Sequence, residues 1–189
     1  MPTLFGGGES GGANTVTGMT ASHRTDRLVL EPLEVGHADA LHDALRDPAV
    51  HEFIVTSGPW TRETVRRRLE RLAEGPPPGS DDVWLNYVVL LGDRLVGRVE
   101  ATVHGPLAEV AYLFDPGVSG NGYATESVEW LLGHLRDDHA VTEAWATVDQ
   151  RNAASIRLLD RCGFARQASV PPAVQSYDQG DAVYSRSLV

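Results

Sequence analysis

The residues best placed to do chemistry lie at one junction, Phe114-Asp115-Pro116-Gly117-Val118-Ser119-Gly120-Asn121-Gly122-Tyr123-Ala124-Thr125-Glu126. An apolar run ends there, a glycine-rich turn follows, and a helix-forming stretch begins. Free N–H groups and the positive end of a helix dipole make such a junction a site for an anion. Gly120 and Gly122 let the backbone approach a phosphate closely. Read alone, Gly120-x-Gly122 also fits a structural turn. A dinucleotide fingerprint is disfavoured: Thr125 stands where it needs Gly or Ala, and the preceding strands form hairpins rather than a βαβ unit. A Walker loop is excluded, because all 16 basic residues are arginine and that loop requires lysine.

Two acids lie on the strands leading to this junction. Side chains alternate along a strand, so Glu109 shares a face with Ala111 and Leu113, an acid on an otherwise apolar surface. Tyr112 is then on the opposite face, as core or pocket wall. Glu100 shares its face with Arg98 and Thr102, the pattern of a solvated stripe. Cys162, just before Gly163, reads as a small buried hydrophobe rather than a nucleophile. His37 and His42 are expected in one helix at a spacing that does not suit a metal pair, and no metal site is expected.

Elements must hold these residues in place. Arg27 to Leu33 reads as a first strand stopped by Pro32. Ala38, Leu41, Ala44 and Leu45 recur at helical spacing. A second helix starts at Thr61, with Val65, Leu69 and Leu72 buried and Arg62, Arg66, Arg67 and Arg71 on a solvated face. Residues 75–80 form a loop. Strands are expected at about 84–91, 94–103 and 107–114, joined by hairpin-like turns at Gly92-Asp93 and His104-Gly105-Pro106. Next come a helix at about 122–136, a strand near 142–148, and a helix near 152–162 closed by Gly163. Strands near 164–170 and 181–188 finish the chain. The order is α+β, with one mixed, mostly antiparallel sheet of about seven strands flanked by about four helices. Residues 1–22 are rich in Gly, Ser and Thr without periodicity and read as a disordered tail, with Met19 an alternative start.

From about Thr25 onward the chain resembles the GCN5-related N-acetyltransferases, and within them the ribosomal-protein N-terminal acetyltransferases (RimJ/RimL-like). The resemblance rests on Thr25-Asp26-Arg27-Leu28-Val29-Leu30, on Ala108-Glu109-Val110, on Gly120-Asn121-Gly122-Tyr123-Ala124-Thr125-Glu126, and on Asn152-Ala153-Ala154-Ser155-Ile156-Arg157-Leu158-Leu159-Asp160-Arg161-Cys162-Gly163-Phe164. It implies that residues 23–189 form one N-acetyltransferase domain using acetyl-CoA. Ser119, Gly120, Asn121, Gly122, Tyr123 and Ala124 would cradle the pyrophosphate. Phe114 would meet the pantetheine arm through its backbone, between strands that splay apart near Phe114 and Thr142. Asn152 and Ser155 would approach the sulfur end, and Asn152 also suits a helix N-cap. Two positions depart from the family: Gly117 stands where Gln or Arg is usual, and Leu159 where many members carry a tyrosine that reprotonates the thiolate.

The implied reaction is attack of a primary amine, of a small molecule or a peptide, on the thioester within a ternary complex. An alkylamine of pKa about 10 must first lose a proton, and the developing oxyanion wants a fixed N–H near Phe114. Glu109, Glu100 or a water chain would serve as base, and Ser155 is the candidate acid. Two other readings stay open: a CoA-binding regulatory module without catalysis, and a structural partner acting through the arginine-lined helix.

Composition narrows the rest. A formal net charge of −10 argues against a nucleic-acid partner and favours cationic substrates. No apolar run reaches the roughly 20 residues that span a bilayer, no secretory leader is expected, and a single cysteine forms no internal disulfide. The expected partners are an amine acceptor and, as an option, a second copy in a homodimer, with neither nucleic acid nor membrane. A cytoplasmic location is expected.

Overall fold

Three long strands, β3 (Val83–Leu91), β4 (Arg94–His104) and β5 (Leu107–Phe114), are joined by tight turns in which Gly92 and Gly105 take positive φ; the middle of β3 and most of the first half of β4 are continuously buried, and burial alternates only in the second half of β4 and the start of β5. They form the centre of a sheet in the computed structural model, which describes residues 21–54, 59–174, 176, 178 and 180–189. The rest of the sheet is β1 (His23–Arg24), β2 (Val29–Pro32), β6 (Glu143–Val148), β7 (Ala165–Gln167) and β8 (Ala182–Ser187). The order is β1-β2-β3-β4-β5-β6-β8-β7, and only the β5–β6 pair is parallel. The mixed, mostly antiparallel sheet expected from sequence is therefore present, with eight strands instead of about seven. The extra strand is β1, two residues paired as His23↔Leu30 and Arg24↔Val29. It is too short to carry a periodic signal. The tail expected at 1–22 lies outside the described residues except for Ala21 and Ser22.

Four helices cover the two faces: α1 (Ala38–Ala44), α2 (Arg62–Ala73), α3 (Tyr123–His139) and α4 (Ala153–Arg161). On one face Val128, Leu131, Leu135 and Leu159 of α3 and α4 pack with Leu85, Tyr87, Val99 and Val110. On the other, Leu41, Val65 and Leu69 of α1 and α2 pack with Val88 and Leu95. Each buried leucine contributes about 1.5–3 kcal/mol relative to exposure. Thr61 caps α2 by accepting from the Thr64 N–H at 3.2 Å, and Thr64 returns the bond.

Two local expectations are corrected. His37 does not share a helix with His42: it closes a separate 3-10 turn (Val35–His37), where its Nδ1 accepts from the Glu34 N–H at 3.0 Å. The arginine face of α2 is exposed but not simply solvated. Arg62 bonds Asp39 at 3.1 Å and Asp43 at 2.7 Å, tying α2 to α1.

β1 is fastened to α3 by an aromatic cluster. The His23 ring lies 4.9 Å from Trp130 and 5.3 Å from His134. His134 stacks on Trp130, bonds Tyr87 Oη at 3.0 Å and Asp138 at 2.7 Å, and meets His139 edge-on. Burial, reinforced by His134 and opposed by Asp138, holds His23 and His139 below the ordinary imidazole value of 6.5. The folded state therefore prefers both rings neutral. That preference stabilises the fold above pH 6.5 and is lost as pH falls further, because the unfolded chain then binds more protons. The Tm should be flat near pH 7.5 and fall between pH 6.5 and 5.5. Replacing both His23 and His139 by Phe should flatten that slope. An unchanged slope in the double variant would place the acid sensitivity elsewhere.

Candidate active site

The glycine loop is braced from below. Its first turn, Pro116–Val118, starts where Asp115 accepts from the Gly117 N–H at 2.8 Å. Gly120 and Gly122 have φ of +82° and +79°, a region that costs an L-residue roughly 1–2 kcal/mol. Gly122 caps α3, and the first intrahelical bond runs from Glu126 N–H to Gly122 O at 3.0 Å. The N–H groups of Tyr123, Ala124 and Thr125 therefore have no helical acceptor. Arg27 donates to Asn121 O at 2.8 Å and to Glu126 at 2.7 Å, while Thr25 donates to Glu126 at 2.5 Å. Burial alone would raise the Glu126 carboxyl, but these bonds outweigh it and hold it below its usual range. The fit to a phosphate is direct: amides at the start of a 17-residue helix, a guanidinium alongside, and open space beyond Gly120.

Beside the loop the sheet comes apart. β5 and β6 pair at Leu107↔Glu143, Ala108↔Ala144 and Glu109↔Trp145, and no further, although β5 runs on to Phe114 and β6 to Val148. Asp115 N–H donates to Val96 O, so backbone groups of odd-numbered β5 residues turn toward β4. By alternation those of Val110, Tyr112 and Phe114 face the gap. Phe114 packs on Gly97, where any Cβ would stand 2.4 Å from the ring. Gly97 is thus required for the strand to carry Phe114 here.

Register places both candidate bases on the α1–α2 face, since Glu100 pairs with Ala111 and Thr102 with Glu109. Two adjoining cavities of about 350 and 620 Å³ open there, and Glu100, Val110, Ala111 and Ser176 border both. The solvated stripe expected for Glu100 is not what the fold makes of it. Arg98 is buried, with 6% exposure, and grips both Glu100 oxygens, one at 3.1 Å. α2 covers this stretch, and its Arg68, a residue the helical pattern leaves unremarked, borders both cavities.

Glu109 is held differently. Its Oε1 lies 3.2 Å from His104 Nε2, and its Oε2 accepts from the Ser176 N–H at 2.9 Å. His104 Nδ1 in turn lies 2.7 Å from Asp82 Oδ1. Neither His104 nor Asp82 was expected at the site from sequence.

At the far side of the gap, Asn152 caps α4 by accepting from the Ser155 N–H at 3.0 Å, and Ser155 Oγ lies 2.7 Å from Tyr112 Oη. Tyr112 is thus pocket wall as well as core, and burial raises its phenol well above the usual value. Leu159 is fully buried behind it. Cys162 is also buried, its thiol pushed up to about 12, as befits an inert packing residue. Asp149, Asp178 and Asp181 line the smaller cavity, which gives it an acidic rim. Among the described residues no His, Cys, Asp and Glu group is arranged to hold a metal, and no helix is long and apolar enough to cross a membrane.

Comparison with known proteins gives concordant results. The family profile for the acetyltransferase (GNAT) domain matches residues 27–165. The uncharacterized N-acetyltransferase p20 of Bacillus licheniformis is 23% identical over 146 residues, covering 76% of this chain and 82% of its own. The Salmonella typhimurium acetyltransferase that modifies the N-terminal serine of 50S ribosomal subunit protein L7/L12 superposes with a TM-score of 0.72 at 17% identity, over 86% of this chain and 96% of that one. Mycobacterium smegmatis RimJ, solved in complex with CoA-disulfide, gives 0.70 at 18% identity, over 85% and 81%. These two structures share the fold.

Proposed function

The chain belongs to the GNAT acetyltransferase family, and from that premise we propose that this acyltransferase moves an acetyl group from acetyl-CoA to a primary amine, of a small molecule or a peptide, by direct attack in a ternary complex. The observation that carries the reading is the parting of β5 from β6 directly beside the glycine loop. The pyrophosphate sits on Ser119 to Ala124. The arm runs along the gap-facing amides of Phe114 and Tyr112, and one of these amides, or that of Val110, receives the thioester oxygen as charge develops on it.

Glu109 takes the ammonium proton, the amine nitrogen bonds the acetyl carbon, and the C–S bond breaks. Ser155, backed by Tyr112 Oη at 2.7 Å, gives its proton to the thiolate and recovers one from the former amine nitrogen, which sheds its second proton to become the neutral amide. Glu100 is the weaker candidate base because its partner is a guanidinium, which cannot accept or release a proton in this range. The acidic rim and the net charge of −10 favour a cationic acceptor.

The test is acetyl-CoA consumption with a panel of seryl and alanyl peptides, free amino acids, polyamines and an aminoglycoside. Acetylated product from at least one amine supports the reading. CoA binding with no turnover across the panel would replace it with a regulatory CoA-binding module.

A further inference from the structure

We propose that His104 and Asp82 form, with Glu109, a relay that carries the acceptor's proton from the reacting nitrogen to solvent, with His104 as the residue that positions and discharges the base. The inference rests on the reading of Glu109 as base and adds two residues to it.

The three side chains form a graded line. Side-chain exposure is 11% for Glu109, 11% for His104 and 29% for Asp82; all three border the larger cavity, and the line ends at its most exposed member. Hydrogen-bond logic fixes the imidazole tautomer. Asp82 is ionised, held below the usual carboxylate range chiefly by its bond to His104. An ionised carboxylate only accepts, so the 2.7 Å contact requires a proton on Nδ1. His104 Nε2 then faces Glu109 Oε1 at 3.2 Å. In a neutral ring that nitrogen is a lone pair, and a favourable contact needs one proton lying between it and the carboxylate.

The chemistry follows from these positions. A proton taken by Glu109 from the acceptor ammonium passes from Oε1 to Nε2, giving the imidazolium and restoring the carboxylate. The Nδ1 proton then leaves by way of Asp82 to water, which leaves the ring neutral as the Nε2–H tautomer. The Nδ1–H form returns when the ring takes a proton from water at Nδ1 and gives up the Nε2 proton to water, with no net change in protons. Nothing is consumed, and the net change is one proton from ammonium to solvent. The other charged groups bordering this cavity are Arg68 of α2 and Glu100 of β4. Arginine cannot take part, and Glu100 is committed to Arg98. Ser176 N–H on Oε2 fixes the carboxylate so that Oε1 presents to the ring.

The experiment compares wild type with His104→Gln, Asp82→Asn and Glu109→Gln, using the panel amine that is turned over fastest, from pH 6 to 9.5. His104→Gln keeps a polar group near both carboxylates but cannot shuttle a proton. The relay requires its kcat to fall about tenfold at pH 7, less than the roughly 10²–10⁴ of losing the base itself because Glu109 remains in place, with the defect shrinking as pH rises. KM for acetyl-CoA should hold, and Asp82→Asn should show a smaller change of the same shape. If His104 only braces the β4–β5 turn, the variant loses Tm or gains KM while its pH profile keeps the wild-type shape, and the relay is overturned. Impairment in Glu109→Gln with a wild-type profile in His104→Gln overturns the relay alone. Full activity in Glu109→Gln overturns the base and the relay together.

Discussion

Glu109→Gln should lower the acetyl-transfer rate by about 10²–10⁴, the usual range for loss of a general base, while acetyl-CoA affinity stays close to wild type. Gln keeps the shape and still accepts the Ser176 N–H, so the C-terminal loop contact at 2.9 Å survives. The basic oxygen facing His104 does not. An alkylamine with a pKa near about 10 arrives mostly protonated at pH 7, so the loss falls on the step that frees its lone pair. As pH rises toward that value more of the amine arrives neutral and the defect should shrink. A defect constant at every pH would assign Glu109 to substrate positioning instead. Glu100→Gln is the informative control. It removes the charge opposite Arg98, a guanidinium with 6% exposure, so its cost should appear in Tm more than in rate, because a buried cation is left uncompensated. A rate loss in Glu100→Gln as large as in Glu109→Gln would move the base to β4.

What sequence reasoning found here is what is local. The glycine loop, the helix it caps and the alternation on β5 each occupy a dozen residues, and their physics is contained within those residues. Alternation also grouped Glu100 with Arg98 and Thr102 correctly, since β4 does put them on one face. The misreading of that face as solvated came from α2, whose Arg68 and Leu72 border the cavity over it; a helix laid over a strand is not visible in either segment's own pattern. Asp82 and His104 belong to the same class. They are 22 residues apart and meet because β3 and β4 pair as Val83↔Val103. Projecting the hairpin register outward from the Gly92-Asp93 turn sets Asp82 opposite Val103 instead, because the register shifts by one residue between Val89 and Leu90, and that irregularity carries no sequence signal. The parting of β5 and β6 had no signal either. It is a property of two strands joined through α3, and only the resemblance to a family anticipated it.

Gly122→Val should weaken acetyl-CoA binding at least tenfold, about 1.4 kcal/mol, in a protein that still folds. Two effects add. Gly122 sits at φ +79° as the cap of α3, and valine is among the least tolerant residues of that region. Relieving the strain would turn the amides of Tyr123 and Ala124 away from a common centre. The new side chain also starts 3.5 Å from Arg27 Nη2, and its branches press on the guanidinium that holds Asn121 O and Glu126. A phosphate site made of backbone amides and one flanking charge loses both kinds of contact at once. Gly120→Ala separates the contributions: Gly120 carries a similar φ of +82° but has nothing within 4 Å of its Cβ position, so it reports strain with little crowding and should cost less. Calorimetric titration with CoA would measure both. Equal affinity in Gly122→Val and wild type, with Tm within a few degrees, would remove this loop from the coenzyme site and leave the gap between β5 and β6 without its phosphate anchor.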